Sequence, residues 1–273
     1  MKRNPNQRTP CKLSVIIPYT GHDPLREEAL KNLILALTQQ DLSEVEASKE
    51  VAIIHEIIIV EQRTTKTYKN HSFDPEYVTH YCVEHEGAFN KSWCMNVGYR
   101  KAKGKWLLFL DADMLIPKNY LGVIRDFYEN TKEPFFIGWN TMIALPGRDN
   151  PLMRVVVKES SLTAGGAFFV TKEFFEMTGR MDESYDGYGG EDNDFWIRGK
   201  HLLKRDPSYL NHPLVHQYHH WAEPHPDRLT KLYKTHGNLD EVINRLRKTT
   251  HGDMTKPQAI DRDDLAQGMV ENL

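Results

Sequence analysis

Strand-length apolar runs rich in β-branched residues alternate along this chain with stretches of helical periodicity, and no other feature restricts the fold as much. The runs are LSVIIPY (13–19), IIIV (57–60), VTHYCV (78–83), WLLFL (106–110) and FFIGW (135–139), with GGAFFV (165–170) following. Behind an Asp23-Pro24 start signal, Leu30, Leu33, Ile34 and Leu37 keep the i, i+3, i+4, i+7 spacing of one helix face. Asn90–Lys101 and Lys118–Glu129 read as two further helices, and a polar helix is expected around Asp227–Lys248. The alternation predicts an α/β fold with a mostly parallel sheet flanked by helices. Residues 138–159 carry little periodicity, and LPGRDNP marks a loop within them.

A chain of 273 residues, 40% of them hydrophobic, suffices for one large domain. The formal net charge of −3 and the lack of a dense Lys/Arg block argue against a nucleic-acid partner. The polar N-terminus leads into an apolar run too short for a signal core or a membrane span. Cys11, Cys82 and Cys94 are odd in number and show no CxxC spacing, so no disulfide framework is expected and a reducing cytoplasm fits. The charged, aromatic-poor segment 251–273 reads as a loose polar tail after a domain spanning 1–250.

Three clusters carry chemistry. In LLFLDADMLIP two carboxylates, Asp111 and Asp113, stand where a buried strand ends. Open α/β sheets bind ligands beyond the carboxyl ends of their strands, and a hard divalent cation takes carboxylate oxygens together with substrate phosphates. A metal holding a diphosphate explains the pair, and a solvated turn with Asp111 as its cap is the plainer alternative. In YDGYGGEDNDFW, Gly187, Gly189 and Gly190 allow tight backbone beside a ligand, while Glu191, Asp192 and Asp194 crowd three acids together. Crowding raises a carboxylate's pKa and suits it to proton abstraction, although acids also favour a helix N-terminus. In HPLVHQYHHWAEPH, five histidines lie close together, and His216 and His219 have the spacing to meet one ion on a turn or helix.

Together LSVIIPY, FNKSWCMNVG, LDADMLIP, TAGGAFFV…GYGGEDND and the histidine segment resemble, in order, metal-dependent glycosyltransferases of the GT-A fold. The likeness is to β-1,4-galactosyltransferase-type enzymes and to the bacterial family 2 transferases that share their C-terminal motif, and it runs from Leu13 to Leu229. It implies a Rossmann-like sheet in a single domain with a C-terminal helical extension. The nucleotide-binding part would cover about residues 12–116 and the acceptor part about 117–230.

The resemblance also implies roles. Asp113, His219 and His216 would be metal ligands for Mn²⁺ or Mg²⁺, and Asp111 would hold ribose or the metal's waters. Pro18 and Tyr19 would meet the uracil nucleotide of a UDP-sugar, with Asn90 and Lys91 reaching the donor. Asp192 would be the catalytic base and Glu191 a contact to the acceptor or donor hydroxyls. Tyr188, Gly189, Gly190, Gly166 and Trp221 would border the acceptor and donor sugars.

Two departures bear on the sugar. Tyr188 stands where many galactosyltransferase relatives have Trp, and Asn193 replaces an acid. The membrane anchor and disulfides of secreted relatives are missing from this sequence, which fits a bacterial or viral cytoplasmic enzyme. The expected reaction is inverting transfer of a hexose or N-acetylhexosamine to a glycan hydroxyl. The competing readings are a non-catalytic nucleotide-sugar or carbohydrate-binding module, a sugar-1-phosphate nucleotidyltransferase and a structural zinc role for the histidines. The nucleotidyltransferase normally shows a basic glycine-rich loop after the first strand, and PYTGHDPLRE is not one.

Overall fold

The structure is a computed structural model that describes residues 13–21, 23–40, 55–64, 78–147, 154–157, 164–220 and 226–258. Its centre is a sheet of β1 (Leu13–Tyr19), β2 (His55–Arg63), β3 (Val78–Glu84), β4 (Trp106–Leu110), β6 (Phe135–Ile137), β9 (Ala167–Thr171) and β10 (Ser208–Tyr209). The spatial order is β10-β6-β9-β4-β1-β2-β3. β3, β2, β1 and β4 run parallel, and β9 enters antiparallel between β4 and β6. Parallel strands are covered on both faces, which is why β1 is buried along its whole length and reads as a continuous apolar run. Pro18 is tolerated in this central strand because the register of β1 with β4 stops at Ile16, leaving one side already open there.

The helices follow the expected periodicity. α1 (Pro24–Thr38) begins at Asp23, whose Oδ1 accepts from Leu25 N at 2.9 Å, and it buries Leu30, Leu33, Ile34 and Leu37. α2 (Lys91–Lys101) packs on β1 and β2 with Trp93, Met95 and Val97 at most 1% exposed. α3 is Tyr120–Thr131 and α4 is Lys172–Met177. Stacked rings join the antiparallel insertion to its neighbours, Phe109 on Phe168 at 4.8 Å and Phe136 on Phe169 at 4.6 Å.

Where the sequence shows little pattern, the structure has strands. β7 (Thr141–Ala144) and β8 (Arg154–Val157) lie in the stretch read as weak, and they join β5 (Met114–Leu115) and β11 (Pro213–His216) in a second sheet ordered β5-β11-β7-β8. Strands of two to four residues are too short to display a period. The FFIGW strand ends at Ile137. The polar helix at the C-terminal end is two helices, α6 (Arg228–Gly237) and α7 (Leu239–Lys248), divided at Asn238, whose side chain caps α7 by accepting from Glu241 N at 3.3 Å.

The loose tail is corrected for residues 251–258. The buried Glu183 carboxylate accepts from Gly252 N and Gln258 N, both at 2.6 Å, and Trp93 Nε1 donates to Asp253 O. These bonds tie the segment to α2 and leave His251 only 3% exposed. Residues 259–273 of the expected tail lie outside the described residues. No helix among the described residues is long and apolar enough to cross a membrane.

α5 (Glu191–Leu203) is anchored by a fully buried ion pair, with Asp194 Oδ2 2.8 Å from Arg198 Nε and 2.7 Å from Nη2. Arg198 Nη1 also donates to Thr178 O and Arg180 O, so the pair ties the segment after α4 to α5. Arg198→Leu strands the Asp194 charge and is expected to destabilise the protein by about 3–5 kcal/mol, read from the urea midpoint. An unchanged midpoint would contradict this anchoring.

Candidate active site

The carboxyl ends of β1 and β4 open into a cleft of about 1210 Å³. Pro18 and Tyr19 end β1 on one wall, and Asp111 and Asp113 follow β4. Gly166, the 187–193 run, His216 and His219 also line it. This is where an open α/β sheet presents ligands, as the position of the carboxylate pair predicts.

The second sheet brings the carboxylate pair and the histidine segment together. β5 follows Asp113 directly and pairs antiparallel with β11, setting Met114 opposite His216. Gln217 N donates to Asp113 O at 2.8 Å, which fixes the turn against the strand end. As a result Asp113 Oδ2 lies 2.9 Å from His219 Nε2, and Oδ1 lies 3.7 Å from His216 Nε2. The histidines meet from a strand end and the segment after it, not from a helix. His219 Nδ1 faces His220 O at 2.8 Å, which presents Nε2 to the carboxylate.

This donor set fits a divalent cation. His219 Nε2 faces Asp113 Oδ2 at 2.9 Å, a contact that a shared proton or a bound cation bridges. Asp113 Oδ1 is buried and makes no hydrogen bond. Although burial works the other way, the hydrogen bond with His219 and the charges of His216, His219 and Arg26 hold the Asp113 carboxyl well below the usual range. Burial lowers the His216 pKa, favouring the neutral, ligating form. Of the other histidines, His212 does not line the cleft, His220 pairs with Asp23 at 3.2 Å, and His225 lies outside the described residues.

Lys91 joins the remaining acids. Its Nζ is 2.7 Å from Asp111 Oδ1, 2.9 Å from Asp192 Oδ2 and 3.8 Å from Glu191 Oε1. Burial opposes its charge, but Asp111, Asp192 and Glu191 outweigh that and keep the ammonium ion protonated well above its ordinary range. Asp111 is held further by Gly166 N, which donates to Oδ2 at 3.1 Å. That approach requires glycine: Gly166 has φ +87°, and a Cβ there would stand 2.5 Å from Met142 Cε. Burial, with Asp192 and Asp113 adding and Lys91 opposing, pushes the Asp111 carboxyl up to about 6.

The raised carboxyl of the acidic run is Glu191, and burial is the main cause, ahead of crowding. Burial, reinforced by Asp192 and opposed by Lys91, pushes it up to about 8. A carboxyl that ionises near 4.5 when unfolded but keeps its proton to about 8 when folded costs stability as pH rises through that window. Glu191→Gln has no proton to lose, so its stability relative to wild type should rise between roughly pH 5 and pH 9, measured as urea midpoints. Parallel curves would contradict the shift. Asp194, the third acid of the run, turns into the core to meet Arg198 and takes no part in the cleft.

Other expected site residues divide. Asn90 is corrected: it is 2% exposed, caps α2 by accepting from Trp93 N at 2.8 Å, and donates to Glu183 O at 2.7 Å. Its side-chain groups are spent on structure. Tyr188 is 44% exposed on the rim, beside Gly189 and Gly190, which both take φ +98° as the chain turns into α5. Trp221 lies outside the described residues. The sequence reading missed Arg26, whose Nη1 is 3.7 Å from Asp113 Oδ2, and Arg228, which lines the cleft beside Gly189. Arg26 sits on α1 with no motif around it to mark it. The bridging geometry of Lys91 was likewise invisible.

A family model described as the N-terminal domain of galactosyltransferase matches residues 156–220, a segment containing Gly166, the acidic run, His216 and His219. Compared with curated protein sequences, the chain finds no match. Among solved structures it is similar to S. aureus TarS 1–349 in complex with UDP-GlcNAc, with a TM-score of 0.55 and 17% identity over 86% of this chain and 70% of that one. The same fragment in complex with UDP gives a TM-score of 0.52 at 16% identity, covering 95% of this chain and 70% of that one. The catalytic domain of Drosophila β1,4-galactosyltransferase 7, in complex with xylobiose, gives 0.44 at 16% identity over 73% of this chain, which spans 64% of that one. At such identities the structural likeness is one of fold. The segment that supplies both the acidic run and the paired histidines thus matches a galactosyltransferase family model, and the sheet around it is similar in fold to that of TarS.

Proposed function

We propose that the protein is a metal-dependent glycosyltransferase that moves a hexose or N-acetylhexosamine from a UDP-sugar to a hydroxyl of a glycan or glycoconjugate, with inversion at the anomeric carbon. The observation that carries this reading is the meeting in one cleft of Asp113, His216 and His219 with the Lys91-tied Asp192. The TarS complexes with UDP-GlcNAc and UDP support a uridine nucleotide, and the galactosyltransferase segment supports sugar transfer.

Asp113, His216 and His219 would hold Mn²⁺ or Mg²⁺, which when bound supplies Lewis-acid compensation for charge developing on the departing diphosphate. Pro18 and Tyr19, which line the cleft, would border the uridine, and Asp111, oriented by Lys91 and Gly166 N, would hold the ribose or the ion's waters. Asp192 Oδ1 is buried without a hydrogen bond, so it has a lone pair ready for the acceptor's hydroxyl proton. The acceptor oxygen then bonds to the anomeric carbon from the face opposite the nucleotide, and the carbon–oxygen bond to UDP breaks with its electrons leaving on the diphosphate. Glu191 carries a proton at neutral pH and can donate to a sugar hydroxyl. The Tyr188 ring offers a face to apolar sugar C–H surface, and Gly189, Gly190 and Gly166 let the sugars approach the backbone. Galactose, N-acetylgalactosamine and glucose all suit this description.

Calorimetry of UDP binding tests the nucleotide–metal link: binding should be at least about tenfold tighter with Mn²⁺ than with chelator, a coupling of about 1.4 kcal/mol or more. Equal affinity in both conditions would overturn it. Inversion is read from the anomeric proton coupling of the product, and retained configuration would exclude Asp192 as the base for direct displacement.

A further inference from the structure

Away from the Asp113 cluster, a second set of ligand atoms converges at Glu61, His80 and Cys82. β2 and β3 run parallel, and their register sets Glu61 opposite Cys82 and Ile59 opposite His80. Paired positions, and positions two apart, share a face of a sheet, so all three side chains project together near the carboxyl ends of the strands. Glu61 Oε2 lies 2.9 Å from His80 Nε2 and 4.0 Å from Cys82 Sγ, and that sulfur lies 3.8 Å from the same nitrogen. A tetrahedral zinc ion with bonds of about 2.0–2.3 Å separates such donors by about 3.3–3.6 Å. Each observed separation is within about 0.5 Å of that range, so small side-chain rotations would seat an ion.

We infer that Glu61, His80 and Cys82 form a second metal site, selective for zinc-type ions and adjoining the nucleotide end of the cleft. The donor set differs in kind from the Asp113 cluster, because a thiolate favours borderline and soft ions over Mg²⁺ or Mn²⁺. Arg63 Nε donates to Glu61 Oε2 at 3.0 Å, the sort of outer hydrogen bond that orients a ligating carboxylate. An ion-pair cluster of Glu61 with Arg63 and His80, with the Cys82 thiol as a weak hydrogen-bond partner of Glu61 and His80, is the alternative, and a thiolate bound to metal is what separates the two. Three protein ligands leave a fourth tetrahedral position for water, and binding releases both the Cys82 thiol proton and the proton that, although burial opposes it, Cys82 and Glu61 favour on His80. The site adjoins the cleft because β1 sets Tyr19 opposite Glu61.

The test uses Co²⁺ alone as the probe in the metal-stripped Asp113→Ala chain, where the other cluster is dismantled, so its outcome does not depend on sugar transfer. Stoichiometric Co²⁺ with a near-ultraviolet thiolate-to-cobalt charge-transfer band, displaced by Zn²⁺ and lost in Cys82→Ser, is the expected result. No such band, or a band that Cys82→Ser leaves intact, would overturn the site. If circular dichroism shows Cys82→Ser to be unfolded, His80→Gln takes its place, with loss of the tetrahedral cobalt spectrum expected and an unchanged spectrum contradicting the assignment.

Discussion

Asp113→Ala is expected to lower metal-dependent turnover by on the order of 10³-fold, because it removes the carboxylate that both histidines face. Asp113 Oδ2 stands 2.9 Å from His219 and Oδ1 stands 3.7 Å from His216, so without the carboxylate two imidazoles border a space with no anion of their own. Arg26, 3.7 Å from the lost oxygen, then adds a cation that nothing at that position opposes. Both changes weaken divalent-cation binding. The loss should be partly recovered at high Mn²⁺ concentration if affinity is the main defect, and a steady-state metal titration separates the two contributions. Wild-type turnover in Asp113→Ala would remove the metal from the account.

Asp192→Asn is expected to reduce kcat by about 10²–10⁴-fold with little change in the KM of the donor, the usual cost of losing a general base. The amide keeps the size of the side chain but cannot take the acceptor's proton. It also exchanges the ion pair with Lys91, now 2.9 Å away, for a neutral contact, while Asp111 at 2.7 Å still holds the ammonium group. Donor binding therefore has reason to survive. Near-normal kcat in Asp192→Asn would overturn the base assignment, and a defect confined to donor KM would shift Asp192 to donor binding.

Six of the seven strands of the main sheet were legible, all but the two-residue β10, because strands buried on both faces announce themselves as unbroken apolar runs, as in LSVIIPY and WLLFL. The position of the Asp111–Asp113 pair followed from the same logic, since β4 ends at Leu110. What sequence could not supply was the short second sheet. β5 and β11 have two and four residues and no period to detect, yet their pairing is what sets His216 beside the Asp113 turn.

Asn90 was misjudged because a polar residue at a helix start has two uses, and capping α2 took precedence over reaching the cleft. Asp194 could not be told apart from its neighbours by sequence alone: three adjacent acids look alike, but the helix turns one of them inward to Arg198. Lys91 stands 101 residues before Asp192, and only the folded sheet makes them neighbours.

The measurement that bears most directly on the central claim is release of UDP by the wild-type chain from a panel of UDP-sugars, with glycan acceptors present, in Mn²⁺ and in excess chelator. Release from one donor in Mn²⁺, stopped by chelator and restored by added ion, is the predicted result. UDP bound in the cleft with no donor consumed under either condition, or consumption indifferent to the chelator, would contradict it.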